Sequence, residues 1–508
     1  MRPDNINFGG GFAESAFSPV VVAVVIIVGL LMCFGSRRRA LVSFLAAALM
    51  IPMDQVLVIG GLHFQMIRVL IIFGMIRILR EKLSGKAEVF SGGVNGLDKW
   101  FLVLALFTAI DGTLLWQTSG YVIFAIGNLY STIGIYFMWR FFIRDEDDVR
   151  AAVRGLAFVV AAVAIVMVYE QITGQNFYYK LLGGGNAAQF GAGLDVRDGK
   201  FRARGFFLHP ILAGSFGGFC FPLFVGLWRR GVKKDRKFAA LGMAFALIPP
   251  FAANSSTALF GLLGGIVGLF FWFLRRRMRI VRWAIVAVVV SLHMVMKAPV
   301  WSLINRVSLL GGSSNWHRFE LVNQCILHFK DWWFIGTKSY ADWGWEMWDL
   351  SNSYVGTADT VGLIPLIAFI AILVMAYKYV GIARKAFRED KRKEFFVWAF
   401  GASVFANTVA MVGIGYFDQT FVAWYCILAM VCAMSLPARV PQLALTPGPV
   451  LLTQVPGGQK LSPFLAGNAS GMRNMPAKVS GYNQEGRVRP SADERAFTNR
   501  KNERSWVK

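Results

Sequence analysis

The sequence has 508 residues, of which 56% are hydrophobic and 16% charged, and its formal net charge at pH 7 is +24. A soluble chain of this length would form about three domains, but soluble proteins contain about 25% charged residues. The composition therefore excludes a soluble multidomain protein and indicates a membrane protein. A strongly basic balance is typical of nucleic-acid-binding proteins and equally of membrane proteins with basic cytoplasmic loops, so the positions of the charges decide between these classes.

The first apolar run covers residues 19–34 and is followed at once by Arg37, Arg38 and Arg39. A cleavable signal peptide carries its basic residues before the apolar run and small residues after it. The opposite order predicts an uncleaved first span whose C-terminal end lies in the cytoplasm, because basic residues flank spans on that side. We therefore expect residues 1–18 to lie outside the cytoplasm.

Twelve further apolar runs follow, so the sequence predicts an all-α polytopic membrane protein with about thirteen transmembrane helices, given the ~20 residues that cross a bilayer. The predicted transmembrane bundle covers residues 19–436. Its spans after the first lie near 40–53, 62–79, 99–116, 120–139, 151–171, 207–228, 238–252, 257–274, 283–298, 358–379, 395–414 and 417–436.

The basic residues test this count, because Lys and Arg should concentrate in every second loop. With the N-terminus outside, every predicted cytoplasmic loop is basic, and one wrongly assigned span would break the alternation. Residues 437–508 contain no apolar run of spanning length and are predicted to form a disordered basic cytoplasmic tail, either solvated or bound to anionic lipid or to a partner. Most of the positive charge is thereby explained, and we expect no nucleic-acid partner. The basic loops lie near 37–39, 77–86, 140–150, 229–237, 275–279 and 384–393.

The five cysteines do not form a disulfide framework. Four of them lie in apolar runs and only Cys325 lies in a polar stretch, which leaves no partner for it. Their spacing does not resemble that of a metal site. We therefore expect neither a structural disulfide nor a metal, and no cofactor.

The first of two long extracytoplasmic loops covers residues 172–206, and loops of this length are usually functional or disordered. Asp198-Gly199 between alternating residues predicts a β-hairpin. The period of two on its second strand places Arg202 and Arg204 on one face. Two guanidinium groups on one face suit a phosphate or pyrophosphate, which they bind bidentately, although a surface hairpin with solvated charges has the same pattern.

The second long loop covers residues 299–357. Ser313-Ser314-Asn315 offers a helix N-cap, and the apolar residues that follow predict an amphipathic helix on the membrane surface or capping the bundle. The histidines beside them are structural or catalytic, and the tryptophans form an interfacial belt or stack on sugars. The apolar stripe is Phe319, Val322, Ile326, Phe329 and Trp333, the polar stripe is His317, Glu320, Gln324 and His328, and the tryptophans are Trp332, Trp333, Trp343, Trp345 and Trp348.

Ionisable residues at membrane depth are costly and mark functional sites. Seven of them lie within or beside predicted spans, at or near the outer ends on the predicted topology. They would line an outward-facing cavity together with arginines of the two loops, although an acid at a helix end can also be merely interfacial. The seven are Asp54, His63, Arg68, Asp111, Glu170, Asp359 and Asp418, and the loop arginines are Arg202, Arg204, Arg306 and Arg318.

Four segments, in order along the chain, resemble the motifs of the O-antigen ligase and polysaccharide polymerase superfamily. The likeness is good over residues 200–380 and extends to the general layout of 40–436. Residues 202–214 resemble its Arg-x-x-Gly-x-x-x-x-Pro segment. The other three are Ser255-Ser256-Thr257, then Arg318 with Trp332-Trp333-Phe334-Ile335-Gly336, and Ser351-Asn352-Ser353-Tyr354 with Val361-Gly362-Leu363-Ile364.

This resemblance implies a multi-pass glycosyltransferase on the outer side of a bacterial inner membrane. Its donor would be an oligosaccharide linked to undecaprenyl pyrophosphate. Its acceptor would be another lipid-linked repeat, for an O-antigen or exopolysaccharide polymerase, or a lipid or glycan core, for an O-antigen ligase. Other polysaccharide assembly proteins are candidate partners. Fixed arginines stabilise charge on a leaving pyrophosphate without a metal, and the acceptor hydroxyl needs a base.

Two positions depart from the family pattern. Ser351 stands where the family has His before Asn, which favours a polymerase over a ligase, and Ala258 stands where an Arg is frequent. Arg202 and Arg318 match the family positions. The predicted pyrophosphate-binding residues are Arg202, Arg204, Arg306 and Arg318, and the candidate bases are Asp359, Asp342, Glu346 and His317.

Two other classes of protein remain open. A transporter or flippase for lipid-linked glycan would also hold pyrophosphate in a cationic cavity, but transporters place their sites near the midplane, on broken helices in paired repeats. We find neither feature in the sequence. A non-catalytic scaffold of a polysaccharide assembly complex would depend on the tail rather than on the arginines.

Overall fold

The computed structural model describes residues 17–53, 55–60, 62–85, 89–182, 195–197, 199–306 and 315–444, except for the side chains of Asp195 and of 438–444. These residues belong to the first of two units into which the chain divides, Met1–Pro447. The second unit, Gly448–Lys508, and with it most of the predicted tail, lies outside the described residues.

The described residues are 77% helical and form nineteen α-helices and two antiparallel hairpins. The strands are β1 (Val56–Ile59), β2 (Leu62–Gln65), β3 (Asp195–Arg197) and β4 (Lys200–Arg202). The helices are α1 (Pro19–Phe34), α2 (Arg37–Met50), α3 (Met66–Leu83), α4 (Gly96–Trp116), α5 (Ser119–Phe142), α6 (Glu146–Thr173), α7 (Phe177–Leu182), α8 (Pro210–Arg230), α9 (Lys233–Ala246), α10 (Ile248–Ala252), α11 (Ser256–Phe270), α12 (Met278–Val295), α13 (Leu303–Arg306), α14 (Asn315–Leu327), α15 (Phe329–Trp332), α16 (Ser353–Val361), α17 (Leu363–Ala386), α18 (Lys391–Ala410) and α19 (Gln419–Ala444).

Eight of the described helices are long and apolar enough to cross a membrane. A helix satisfies its own backbone hydrogen bonds, which is what an apolar segment in lipid requires. The prediction of an all-α membrane protein is therefore confirmed in this coarser form. The eight are α4, α5, α6, α8, α11 with its extension to Leu274, α12, α17 and α19 up to Pro437.

Each of the thirteen predicted spans coincides with helix, but two boundaries were wrong for local reasons. Residues 62–65 form β2, which pairs with β1 in the register Val56 opposite Gln65. Apolar residues on both sides of a glycine pair favour this hairpin, and Gly60 has a φ of +58°. The predicted span 238–252 is divided into α9 and α10 because Pro249 and Pro250 follow the break.

A third boundary separates Asp359 from the span to which the sequence assigned it. Gly362 has a φ of +88° and lies between α16 and α17. A Cβ at this position would lie 2.5 Å from the carbonyl oxygen of Phe334, so only glycine permits this close approach. The spanning helix therefore begins at Leu363, and Asp359 lies on the short helix before it.

Ion pairs connect all six basic loops. These loops therefore lie together at one end of the bundle, here called the basic end. Each pair alone contributes little at an exposed site, but here several carboxylates are buried and shared between loops. The pairs that join different loops include Arg37–Asp148, Arg144–Glu81, Arg150–Asp235, Arg230–Asp390, Lys393–Glu146 and Arg275–Glu394.

Helices α8, α11 and α18 pack closely through small residues, as helices in membranes do. A Cβ at Gly218 of α8 would lie 2.9 Å from the backbone nitrogen of Leu262, and one at Gly268 of α11 would lie 2.9 Å from the Cα of Ala402. A larger residue at either position would push the helices apart. Because α8 begins within the segment 202–214 and α11 within the segment 255–257, this packing fixes the positions of those segments.

Candidate functional site

The hairpin predicted in the first long loop forms, with Arg197 opposite Lys200 and Asp195 opposite Arg202. Residues directly opposite each other in an antiparallel pair share one face of the hairpin. Arg197 therefore lies on the same face as Arg202, although the sequence analysis did not single it out. Strand β4 ends at Arg202, so the alternation predicted to continue to Arg204 stops before that residue.

Residues 202–208, here called the arginine segment, leave the hairpin in an irregular conformation, and all except Leu208 are buried. Buried backbone groups need hydrogen-bond partners, and side chains from the ends of α6 and α19 supply them. The bonds are Arg204 N and Gly205 N to Glu170 Oε2 (3.0 and 2.9 Å), Leu208 N to Asp418 Oδ2 (3.0 Å), Gln419 Nε2 to Phe206 O (3.0 Å) and Asn176 Nδ2 to Gly205 O (2.9 Å).

These bonds give two of the predicted cavity acids a specific place. Glu170 and Asp418 are fully buried and accept from the backbone of the arginine segment. Arg68 lies elsewhere, because its guanidinium donates to Ser131 Oγ (2.9 Å) and to His63 O (2.7 Å) beside the β1–β2 hairpin. Of the three remaining span acids, Asp111 is buried in α4, Asp359 lies on α16 and Asp54 lies outside the described residues.

The side chains of the arginine segment are themselves held in place. Arg202 Nε donates to the carbonyl oxygen of Ala253 (3.2 Å), at the C-terminal end of α10. The guanidinium of Arg204 lies over the ring of Tyr179, 4.8 Å from its centre, in a cation–π contact. Both arginines are buried, so their charges are fixed in a poorly hydrated part of the protein.

Arg318 joins this group from the second long loop. It is buried on α14, where Nη1 donates to Asn315 Oδ1 (3.0 Å) and Nε donates to Gly413 O (3.3 Å). Burial, together with repulsion from the charges of Arg197 and Arg202, lowers the pKa of Arg318 to about 10. The fold therefore brings arginines from both long loops close enough to repel one another, and a bound anion would relieve that repulsion.

The turn at residues 411–414 connects Arg318 to the segments that contain Thr257 and Ser353. Its Gly413, whose carbonyl accepts from Arg318, packs against Thr257, so that a Cβ on this glycine would lie 2.5 Å from Thr257 Oγ1. Ser353 donates from its backbone N and from Oγ to carbonyl oxygens of the same turn (2.8 and 2.9 Å). Segments that are distant in sequence thus meet at one end of the bundle, here called the site end.

His317 precedes Arg318 and is also buried. Its Nε2 lies 2.9 Å from the carbonyl oxygen of Asp349. A carbonyl oxygen only accepts, so Nε2 carries the proton and Nδ1 of the neutral ring is an acceptor. Among the described residues Nδ1 is buried and has no hydrogen-bond partner, so the fold leaves this acceptor unsatisfied. The negative charge of Asp349 partly opposes the lowering of the Arg318 pKa. His317, Arg318 and Asp349 therefore lie close together.

Helix α14 forms as predicted, but its buried face differs from the predicted apolar stripe and includes His317 of the predicted polar stripe. Its apolar stripe is partly uncovered, since Ile326 and the following Phe329 and Trp333 are exposed. The buried face packs on a small core of the second loop, here called the loop core, and on the site end. The buried residues of α14 are Asn315, His317, Arg318, Leu321 and Cys325, and the loop core is Leu321, Cys325, Trp332, Met347, Val355 and Ala358.

Asp359 lies against the loop core. Its carboxyl interacts with the thiol of Cys325 and with Tyr340, and it is buried. Burial raises the pKa of Asp359 to about 7. Neither of the described hydrogen bonds of Arg318 is made to Asp359. Among the candidate bases, His317 is the one adjacent to an arginine of the cluster.

The other three predicted site residues are exposed. Arg306 ends the short helix α13, and Asp342 and Glu346 lie on the surface of the second loop. Within the described ranges, none of the hydrogen bonds and ion pairs given above joins any of the three to the buried arginines. No group of three or more His, Cys, Asp and Glu in the described ranges is arranged to hold a metal ion.

The fold and the site together define an all-α membrane protein with clustered, buried arginines at the end opposite its basic loops. Comparison with known proteins found no matching family model and no matching curated protein.

Proposed function

We propose that the protein is a glycosyltransferase of the bacterial inner membrane that polymerises or transfers undecaprenyl-pyrophosphate-linked glycan. The observation that carries this proposal is the convergence of Arg197, Arg202 and Arg318, with Arg204 on the adjoining backbone. Guanidinium groups that lie close together suit a pyrophosphate, whose charge and oxygen geometry they bind bidentately. Ser351 stands where the resembling family has a histidine, which favours a polymerase over an O-antigen ligase.

The proposed topology places this cluster outside the cytoplasm. Thirteen spans with the N-terminus outside would put all six basic loops in the cytoplasm, as the positive-inside rule requires. The ion pairs among these loops support that arrangement, because they gather the loops at one end of the bundle. The undecaprenyl chain would then lie in the outer leaflet, with its pyrophosphate at the arginines.

The proposed reaction breaks the bond between the anomeric carbon and the pyrophosphate oxygen, and the electron pair leaves with the pyrophosphate. The acceptor hydroxyl oxygen forms the new glycosidic bond to that carbon and gives its proton to His317 Nδ1. Asp349 fixes the tautomer of His317 through the bond to Nε2. Arg202 and Arg318 stabilise the charge that develops on the leaving group, and Arg204 contributes to the same field.

A flippase is less well supported, because the arginines lie at helix ends and in loops rather than at the middle of broken helices. A scaffold would not need buried arginines. Both classes therefore become outcomes of the same experiment.

The test uses the full-length protein in lipid nanodiscs with an undecaprenyl-pyrophosphate-linked repeat unit, and mass spectrometry of the product. We expect a new glycosidic bond with the wild type, and a rate at least about 100-fold lower for R318A and for R202A/R204A. R306A, which changes an exposed arginine of the same loop, should retain the wild-type rate. Normal product from the buried-arginine variants at normal protein level would refute the proposal. The absence of any new glycosidic bond with the wild type would also refute it, and is what a flippase or a scaffold predicts.

A further inference from the structure

Three exposed indoles lie beside the proposed base, and we propose that they form a sugar-stacking subsite for the acceptor glycan. Trp316, Trp345 and Trp348, here called the indole platform, are 41%, 66% and 51% exposed. The ring centres of Trp316 and Trp345 are 6.3 Å apart, and their planes are inclined by 47°. The two exposed rings are therefore neighbours on one surface of the second loop.

The chain holds these indoles outward by a specific turn. Met347, between the two tryptophans of the platform, is buried in the loop core. Glu346 has a φ of +56°, a conformation that is unfavourable for a residue with a side chain, and its carbonyl accepts from Asp349 N (3.0 Å). Asp349 O in turn accepts from His317. The turn is thus fixed at both ends, and Trp345 and Trp348 are exposed because their neighbours are anchored.

The charges around the platform favour a glycan over a membrane surface. Residues 339–352 contain Asp342, Glu346 and Asp349 and no Lys or Arg. Segments that dock on anionic membranes are rich in Lys and Arg, whereas carboxylates accept hydrogen bonds from sugar hydroxyls. The C–H groups of a sugar ring carry partial positive charge and suit the negative face of an indole. An aromatic surface edged by carboxylates therefore matches the two surfaces of a sugar.

A second group of exposed aromatics in the same loop has different surroundings. Trp333 accepts at its carbonyl oxygen from Leu363 N (3.0 Å), the first residue of the spanning helix α17. Trp333 and Phe334 thus lie at the end of a span, where aromatic residues form an interfacial belt. This contrast supplies a matched control for the platform.

The platform is continuous with the proposed active site. Trp316 is adjacent to His317, and Asp349 follows Trp348 and contacts His317. His317 is therefore bonded to the residue that follows Trp348, and its sequence neighbours are Trp316 and Arg318. Resting on the proposed function, this order assigns the donor pyrophosphate to the arginines and the terminal sugar of the acceptor to the platform.

The test measures binding without turnover. Full-length protein in detergent is applied to an array of soluble oligosaccharides that carry no lipid or phosphate. We expect the wild type to bind at least one glycan, W316A/W345A to bind it at least about tenfold more weakly, and W345F to recover part of the loss. W333A should bind as the wild type does.

The outcomes separate the two proposals. If no glycan binds to the wild type, or if W316A/W345A binds normally, the subsite does not exist, whether or not the protein forms glycosidic bonds. If the platform binds glycan but no glycosidic bond forms with the lipid-linked repeat unit, the subsite stands and the transferase proposal fails. An equal loss of binding in W333A would show that the aromatic residues act through general stability, and would overturn the subsite.

Discussion

Asp359 makes the stability of the fold depend on pH, because its carboxyl is buried against the loop core. Its carboxyl is buried beside Cys325 and Tyr340, and burial raises its pKa to about 7. In the unfolded chain the same group titrates near its ordinary value of 3.8. The folded state therefore binds the proton more readily, and this group lowers the stability of the fold as pH rises from about 4 through 7.

We expect D359N to remove this dependence. The amide keeps an acceptor for the thiol of Cys325 but carries no charge at any pH. In detergent, the Tm of D359N should equal that of the wild type at pH 4 within about 1 °C and exceed it at pH 8 by about 2 °C or more. D342N, which changes an exposed carboxyl of the same loop, should show no such divergence. A Tm of D359N below that of the wild type at pH 8 would mean that the ionised carboxylate is stabilising.

The sequence predicts some of the site residues, but it does not predict that residues of the two loops lie close together in the fold. The turn Asp198-Gly199 already implies that Arg197 lies opposite Lys200 and shares the face of Arg202, so the missed arginine had a readable signal. Arg318 belongs to another loop, and no local pattern indicates that it reaches Arg202. That proximity depends on the turn at 411–414, which is itself fixed by the packing of α11 and α18.

At the scale of single elements, apolar runs predict the helices well because lipid leaves the backbone few alternatives. The errors arise where local chemistry interrupts a run. The apolar alternation in β1 and β2 was hidden inside an apolar stretch, and Gly362 ends α16 within a predicted span. The buried face of α14 could not be predicted from its hydrophobic pattern, because its polar residues face partners elsewhere in the chain.

The arginine segment is an element whose conformation comes from other helices, and we expect E170A to loosen it selectively. Glu170 accepts from Arg204 N and Gly205 N, and a hydrogen bond to a charged group contributes about 1.5–3 kcal/mol. Hydrogen exchange at these two amides should accelerate at least about tenfold, while amides within α8 stay protected.

T173A is the matched control, because the exposed Thr173 lies on the same helix and its hydroxyl bonds to the backbone of Tyr169 (2.8 Å) and Gln175 (3.4 Å) within that region. Unchanged exchange in E170A would show that the segment is held by its other bonds. Uniform acceleration across α8 would indicate global destabilisation rather than a local anchor.

At the scale of the whole molecule, the proposed topology gives the two ends different environments. All five cysteines are buried, so the wild type should react little with a membrane-impermeant maleimide. We expect K200C and E346C, at exposed positions of the site end, to be labelled in intact spheroplasts. K234C, at an exposed position of the basic end, should be labelled only after permeabilisation. Labelling of K234C in intact spheroplasts would invert or break the proposed topology.

The bond between Leu208 and Asp418 joins residues that are 210 positions apart, and this distance has a consequence for biosynthesis. A ribosome adds about 5–20 residues per second, so Leu208 leaves it roughly 10–40 seconds before its partner. During that interval the segment that carries Arg202 and Arg204 lacks one of its anchors, and Gln419 has not been made either. The nascent protein therefore inserts with an unfinished site, which is completed when the beginning of α19 is synthesised.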